Sequence, residues 1–132
     1  MDRLVGVPYV AHGRSYEAAD CWGLVWLYYR DVLQVAIPDY LDAMSDVTFV
    51  RSEISKVVKG GRLADWESVS EPKTGDVVLM RVGRSESHVG IYLDAGRVLH
   101  SEAPGDISKI ERLDGVRLRN RVCGFFRLKS RT

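Results

Sequence analysis

The sequence has few cysteines, almost no net charge and no long hydrophobic run. Its two cysteines, Cys21 and Cys123, lie far apart and match no CxxC spacing, which argues against a disulfide scaffold or a paired-cysteine metal or redox motif. Nineteen basic and eighteen acidic residues leave a formal charge of +1, whereas a nucleic-acid binder normally has a strong basic excess. No apolar run approaches the ~20 residues that a membrane-spanning helix needs. We therefore expect neither a nucleic-acid partner nor a membrane partner.

The N-terminus also shows no secretory signal, because no basic segment followed by an apolar one comes after Met1. We expect a protein that is made and kept in a cytoplasm, or that leaves the cell by another route. A chain of 132 residues can bury one core but not two. We therefore expect a single domain over residues 1–132.

The first half of the chain has the periodicity of helices. Apolar side chains recur at the spacing of one helix face at Cys21, Leu24, Val25, Tyr28 and Val32. Asp20 is the expected N-cap of this helix, and Pro38 ends its pattern. A second helix is predicted over residues 46–59, with Gly60 and Gly61 as its stop.

The second half of the chain has the pattern of short strands, which are rich in β-branched and aromatic residues and are separated by glycine-containing turns. The predicted strands cover residues 76–82, 88–93, 97–101, 107–113 and 122–128. Asp76 is interpreted as a turn residue. Helices followed by an antiparallel meander indicate the α+β class.

Cys21 is the candidate nucleophile. It follows the proposed cap Asp20 in the first turn of a helix, where unpaired N–H groups and the helix dipole favour a thiolate. The same N–H groups could form an oxyanion hole. The alternative is that Cys21 is a small buried hydrophobe, which is the interpretation given to Cys123.

Two histidines on neighbouring strands strengthen the catalytic interpretation. A three-residue loop at Asp94-Ala95-Gly96, a type I turn with Gly96 left-handed, pairs Leu93 with Arg97 and places Gly90 opposite His100. His88 and His100 then share one face, and Gly90 has no side chain to separate them. A two-residue loop would put the imidazoles on opposite faces.

If this register holds, the sequence predicts Cys21 as nucleophile, His88 as general base and His100 as the residue that orients His88. A metal site that combines these residues with Asp20 or His12 is the rival hypothesis. It lacks the short-range ligand pairs that usually mark zinc.

Four segments carry a resemblance to a known family, and they occur in the family's order over most of the chain. They are Gly6-Val7-Pro8-Tyr9, Asp20-Cys21-Trp22-Gly23-Leu24, Lys73-Thr74-Gly75-Asp76 and His88-Val89-Gly90-Ile91-Tyr92. The sequence resembles the NlpC-type cysteine endopeptidases, in which the D-C-x-G-L cysteine is the nucleophile and the H-V-G-I-Y histidine is the base. His100 falls where the third polar residue of that family lies.

The resemblance implies a compact papain-like fold, with N-terminal helices and the nucleophile helix packed on an antiparallel sheet. It implies hydrolysis of amide bonds in peptidoglycan stem peptides, of the γ-D-glutamyl–diaminopimelate type, without cofactor or metal. Tyr9 matches a family tyrosine that lines the active site and would help the Cys21 N–H to stabilise the oxyanion. Asp20 and Trp22 are expected to border the same cleft, Asp20 chiefly as the helix cap and Trp22 as a substrate contact.

The D-C-W-G-L-V segment without a secretory signal looks most like the tail-associated peptidases of tailed bacteriophages. This likeness implies a virion-tail protein that is made in the host cytoplasm, opens the cell wall locally and contacts tail-hub or tail-tip proteins. Two alternatives stay open. One is a structural tail-tip component with a vestigial or protein-directed site, and the other is an acyltransferase or effector toxin with the same Cys and His arrangement.

Overall fold

The fold is that of a short buried helix on an antiparallel sheet, as seen in a computed structural model that describes residues 2–37, 66–83 and 85–128. The predicted α+β class is confirmed. The predicted helix over residues 46–59 lies outside the described residues. Within the described ranges, no helix is long and apolar enough to cross a membrane.

Helix α1 covers Cys21–Tyr28 and is buried on almost every side, which explains its unbroken apolar sequence. As predicted, Asp20 caps it, with an extended backbone and a side chain that accepts a hydrogen bond from the Gly23 N–H at 2.7 Å. A π-helical stretch, Tyr29–Leu33, continues α1 and ends at left-handed Gln34. The wider π turn changes the helical register, so Val32, expected to face the core, is exposed.

The described residues form eight strands, numbered here in chain order. They are β1 Arg14–Ser15, β2 Ala18–Ala19, β3 Trp66–Val69, β4 Val77–Val82, β5 Ser85–Leu93, β6 Arg97–His100, β7 Lys109–Arg112 and β8 Val122–Leu128. The first two form a small hairpin just before α1, and the others form one sheet in the order β3-β8-β4-β5-β6-β7 with antiparallel neighbours. The five predicted strands are confirmed as β4 to β8, with shifted ends. The sequence did not predict β1, β2 or β3.

The sheet has apolar packing on both faces. On one face, Val89 and Ile91 belong to the same cluster as Leu24 and the rest of α1. On the other face, Met80 and Val98 pack with Leu118 and with residues of the turn region before β8. Strand β4 lies inside the sheet, and its first four residues, Val77 to Met80, are buried on both faces, which explains why they are all apolar.

The N-terminal segment is hydrogen bonded to the residue just before β7 and to the residues just before α1. Val7 N–H donates to the Ser108 hydroxyl at 2.8 Å, and that hydroxyl donates to the Leu4 carbonyl. The Pro8 carbonyl accepts the N–H of Ala19 at 3.0 Å. These contacts bring the Pro8-Tyr9 segment beside the N-terminus of α1.

Candidate active site

Gly13 and Gly23 allow the backbone of the segment before α1 to pack directly against the first turn of the helix, with no side chain between them. A Cβ added to Gly23 would lie 2.1 Å from the Gly13 carbonyl oxygen, and one added to Gly13 would lie 2.4 Å from the carbonyl oxygen of Ala18. No side chain fits either gap. The glycine of the D-C-x-G-L motif is therefore required by the contact that seats the Cys21 end of the helix.

The Asp20 carboxylate holds this turn together and is only 1% exposed. Besides capping Gly23, it accepts from the Arg14 guanidinium at 2.8 Å and from the His12 N–H at 2.9 Å. His12 has a left-handed backbone, with φ of 67°, as this connection requires. Because the chain's own donors occupy the Asp20 carboxylate, its geometry fits the cap rather than direct contact with a substrate.

The Cys21 thiol is 5% exposed and lies beside β5. The backbone N–H groups of Val89 and Trp22 hydrogen bond to the sulfur and favour its ionised form. The Val89 N–H belongs to the peptide that joins it to His88. The fold thus brings the predicted nucleophile to the backbone of the predicted base.

The prediction that the helix terminus lowers the pKa of Cys21 is wrong for this state of the site. Burial raises the pKa of the thiol to about 12, and the negative charge of Asp20 acts in the same direction. The two N–H groups and the Arg14 guanidinium oppose this shift but do not overcome it. Desolvation and the neighbouring carboxylate therefore outweigh these favourable contacts.

The predicted hairpin register is confirmed. Ile91, Tyr92 and Leu93 pair with Leu99, Val98 and Arg97, and Gly96 is left-handed. The turn differs from type I because Ala95 is also left-handed, with φ of 60°. The register itself is unchanged by this difference.

The two histidines meet as the register requires. His88 Nε2 lies 2.8 Å from His100 Nδ1, a hydrogen bond that is fully buried. A Cβ on Gly90 would approach His100 Cβ to 3.0 Å and Val98 Cγ2 to 2.7 Å. Burial lowers the pKa of the His88 imidazole to about 3, and the neighbouring His100 adds to the effect.

A carboxylate that the sequence analysis missed, Glu111, contacts the other side of the His100 ring. Glu111 Oε1 lies 2.9 Å from His100 Nε2. Arg117 Nε donates to Glu111 Oε2 at 2.6 Å, and Arg117 Nη2 donates to Glu102 Oε1 at 2.6 Å. The signal that could have found Glu111 is the pairing of β6 with β7, where Val98 faces Glu111 and the diagonal neighbour is His100.

The rival metal hypothesis does not fit the distances well. Among the described residues, a potential ligand group contains His88, His100 and Glu102, without Cys21. Two nitrogens bound to one tetrahedral zinc ion at ~2.05 Å would be about 3.3 Å apart. The 2.8 Å separation of the imidazole nitrogens instead fits a direct hydrogen bond.

Trp22 does not lie where a substrate contact would be. Its side chain is completely buried and meets the Trp66 ring edge-on at 6.1 Å between centroids. The substrate interpretation of the Trp22 side chain is therefore corrected to core packing. Tyr9 is half-buried next to the start of α1, and Cys123, expected to be buried, is half-buried as well.

The chain is similar to proteins of known type over much of its length. Residues 6–127 match the NlpC/P60 family. The chain is 28% identical over 102 residues to Murein DD-endopeptidase MepS/Murein LD-carboxypeptidase of Escherichia coli strain K12, which covers 77% of this chain and 46% of the relative. It is 31% identical over 112 residues to Murein DD-endopeptidase MepH of the same strain, covering 83% of this chain and 36% of the relative. The chain thus spans less than half the length of these relatives.

Solved structures show the same fold. The NlpC/p60 domain of peptidoglycan hydrolase SagA has a TM-score of 0.64 at 22% identity, covering 96% of this chain and 92% of that one. An NlpC/P60 family protein from Bacillus cereus ATCC 10987 has a TM-score of 0.65 at 21% identity, covering 96% of this chain and 39% of that one. The predicted NlpC-type α+β fold is therefore confirmed. Because the family match extends over nearly the whole length, the chain belongs to the NlpC/P60 family.

Proposed function

We propose that this domain is a cysteine endopeptidase that hydrolyses amide bonds in the stem peptides of bacterial peptidoglycan. The observation that carries the proposal is the buried His88–His100 hydrogen bond beside a cysteine at a helix N-terminus. Family membership and the names of the murein endopeptidase relatives support the substrate class.

In the proposed reaction, the Cys21 sulfur attacks the amide carbonyl while His88 takes the thiol proton. Burial favours a neutral thiol and a neutral imidazole in the resting site, so the proton moves during attack rather than before it. The imidazolium then donates its proton to the departing amine, which leaves a thioester on Cys21. Water, deprotonated by His88, attacks that thioester and releases the carboxylate product. The Cys21 N–H, with Tyr9, is proposed to stabilise the oxyanion.

The proposed scissile bond is the γ-D-glutamyl–diaminopimelate amide, on the strength of the motif resemblance. The name of MepH instead specifies a DD-endopeptidase, and that of MepS a DD-endopeptidase that is also an LD-carboxypeptidase, so a DD bond in cross-linked peptides is the alternative. Defined substrates separate the two, because an uncross-linked tetrapeptide stem contains the first bond and no cross-link.

The test is digestion of purified peptidoglycan and of that stem, with products identified by mass spectrometry. Wild-type protein should cleave one amide, and Cys21→Ala should lose at least about 10³-fold in rate because the nucleophile is gone. Cys123→Ala is the matched control, since it removes the chain's other thiol and should cleave normally. Equal activity of Cys21→Ala and wild type would contradict the proposal.

We also propose that the enzyme acts in the tail of a bacteriophage virion, on the basis of the D-C-W-G-L-V segment. Its recovery by mass spectrometry from purified tails would support this location. If folded protein cleaves no wall type and instead copurifies stably with a tail-hub protein, the structural tail-tip function becomes the better explanation.

A further inference from the structure

His100 lies between two groups that fix where its proton must be. Its Nδ1 faces His88 Nε2 at 2.8 Å, and its Nε2 faces Glu111 Oε1 at 2.9 Å. An ionised carboxylate only accepts hydrogen bonds, so the neutral His100 ring must carry its proton on Nε2. His100 Nδ1 is then an acceptor, and the hydrogen of the His88–His100 bond must come from His88 Nε2.

This assignment determines the chemistry of His88. With its proton on Nε2, His88 has its lone pair on Nδ1, the nitrogen that does not face His100. That nitrogen is the one free to accept a proton from a thiol. Reversing the tautomer of His100 would reverse His88 too, and His88 would then have no lone pair to offer the thiol.

Glu111 is held in the charged state that this argument needs. Its hydrogen bonds from Arg117 lower the pKa of the Glu111 carboxyl to about 2. Arg117 also contacts Glu102, which Arg121 approaches at 3.3 Å. Among the described residues, the charges that face the histidine pair are therefore two carboxylates and two guanidinium groups.

We propose that Glu111 is a positioning residue of the active site, which sets the tautomer of His100 and thereby selects His88 Nδ1 as the basic nitrogen. The assignment of His88 as the base rests on the proposed function, whereas the tautomers are a property of the folded protein. Glu111 belongs to no segment that carries the family resemblance.

The competing explanation is that Glu111 only forms a stabilising ion pair with Arg117. Glu111→Gln and Arg117→Gln both break that ion pair, so a purely structural role predicts that the two changes affect protonation of the histidine pair in a similar way. A positioning role predicts that they affect it in opposite directions. Loss of the Glu111 charge should make protonation of the histidine pair harder, and loss of the Arg117 charge should make it easier.

The decisive experiment is NMR of ¹⁵N-histidine-labelled protein in the Cys21→Ala background, which reads each ring's tautomer without any need for activity. We expect His88 and His100 both as Nε2–H in the parent, and a changed or mixed His100 tautomer in Glu111→Gln. Arg112→Gln, which breaks an exposed ion pair on the same strand, is the matched control and should leave the tautomers unchanged. A parent spectrum with His100 as Nδ1–H would overturn the inference even if no variant folds.

Kinetics extend the test if the domain cleaves peptidoglycan. Glu111→Gln should lower kcat by about 10²-fold with little change in KM. This loss is smaller than the ~10⁴-fold fall in kcat that follows when the carboxylate in direct contact with a catalytic histidine is neutralised, because Glu111 acts through His100. The acid limb of its kcat profile should move to lower pH, and that of Arg117→Gln to higher pH. Shifts in the same direction would refute the positioning role. Absence of cleavage by all forms, with the expected tautomers, would reject the proposed function and leave the inference intact.

Discussion

At the scale of single residues, the proposed nucleophile and the proposed base both lie almost entirely out of water. Cys21 is 5% exposed and His88 is 3% exposed. Burial disfavours the charged form of each group, so it moves their pKa values in opposite directions, to about 12 for the thiol and about 3 for the imidazole. A resting thiolate–imidazolium pair is therefore disfavoured.

The alkylation rate of Cys21 should reveal this state. A thiol with a raised pKa has little thiolate at neutral pH, so reaction with iodoacetamide should be slow and should rise ~10-fold per pH unit up to the highest pH at which the fold survives. Measurement in the Cys123→Ala background restricts the reaction to Cys21. A fast alkylation whose rate stays constant between pH 5 and 8 would mean that the thiolate is preformed, contrary to this expectation.

The sequence predicted where Cys21, His88 and His100 lie in the fold, because each position depends on a local pattern: a cap, a strand start and a hairpin register. Their catalytic roles stay a prediction. It did not reveal Glu111, whose contact with His100 depends on how β6 pairs with β7 across the intervening turns. It also gave the wrong direction for the pKa of Cys21. Helix position can be read from a sequence, whereas burial depth and the distance to a neighbouring carboxylate cannot.

At the scale of elements, the β5–β6 hairpin positions the two imidazoles, and Gly90 leaves the space between them. A Cβ at this position would lie 2.7 Å from Val98 Cγ2 and 2.9 Å from the Leu99 carbonyl oxygen. The latter is backbone that cannot rotate away. Accommodating a methyl group would therefore push β5 and β6 apart next to the His88–His100 bond.

Gly90→Ala should consequently damage both stability and the site. We expect a loss of about 1–3 kcal/mol in the free energy of unfolding, typical of overpacking, measured by urea denaturation. We also expect at least about a 10-fold fall in kcat, because small displacements of catalytic groups cost rate steeply. Gly124→Ala on β8 is the control, since its nearest neighbour is a Phe126 ring edge at 3.3 Å rather than backbone. Wild-type kcat in folded Gly90→Ala would show that the close approach is unnecessary.

At the scale of the whole molecule, the sheet combines a local meander with one long-range insertion. The successive strands β4, β5, β6 and β7 are neighbours, which is why the sequence could predict their arrangement. Strand β8 instead returns to lie between β3 and β4. Strand β3 is four residues long, and within the described part of the chain it pairs with β8 alone, near the other end of the sequence, so no local signal predicts it.

A buried ion pair links this returning strand to the turn before β4. Asp76 is completely buried, accepts from the Lys73 N–H at 2.7 Å, and bonds both Nε and Nη2 of Arg127 at 2.9 and 2.7 Å. The turn assignment of Asp76 agrees with its bond to Lys73. Its contact with Arg127 adds a connection between segments about fifty positions apart, and this connection closes β8 onto β4.

Arg127→Met should therefore lower stability by about 3 kcal/mol, because it leaves the Asp76 carboxylate buried without its cation. The double variant Asp76→Asn with Arg127→Met should lose less than Arg127→Met alone, since no unpaired charge remains. Arg112→Gln, which breaks a solvent-exposed pair with Asp114, should cost under about 0.5 kcal/mol. Urea denaturation of the four proteins measures all three differences. If the double variant is no more stable than Arg127→Met, the pair acts through packing of the arginine side chain rather than through charge compensation.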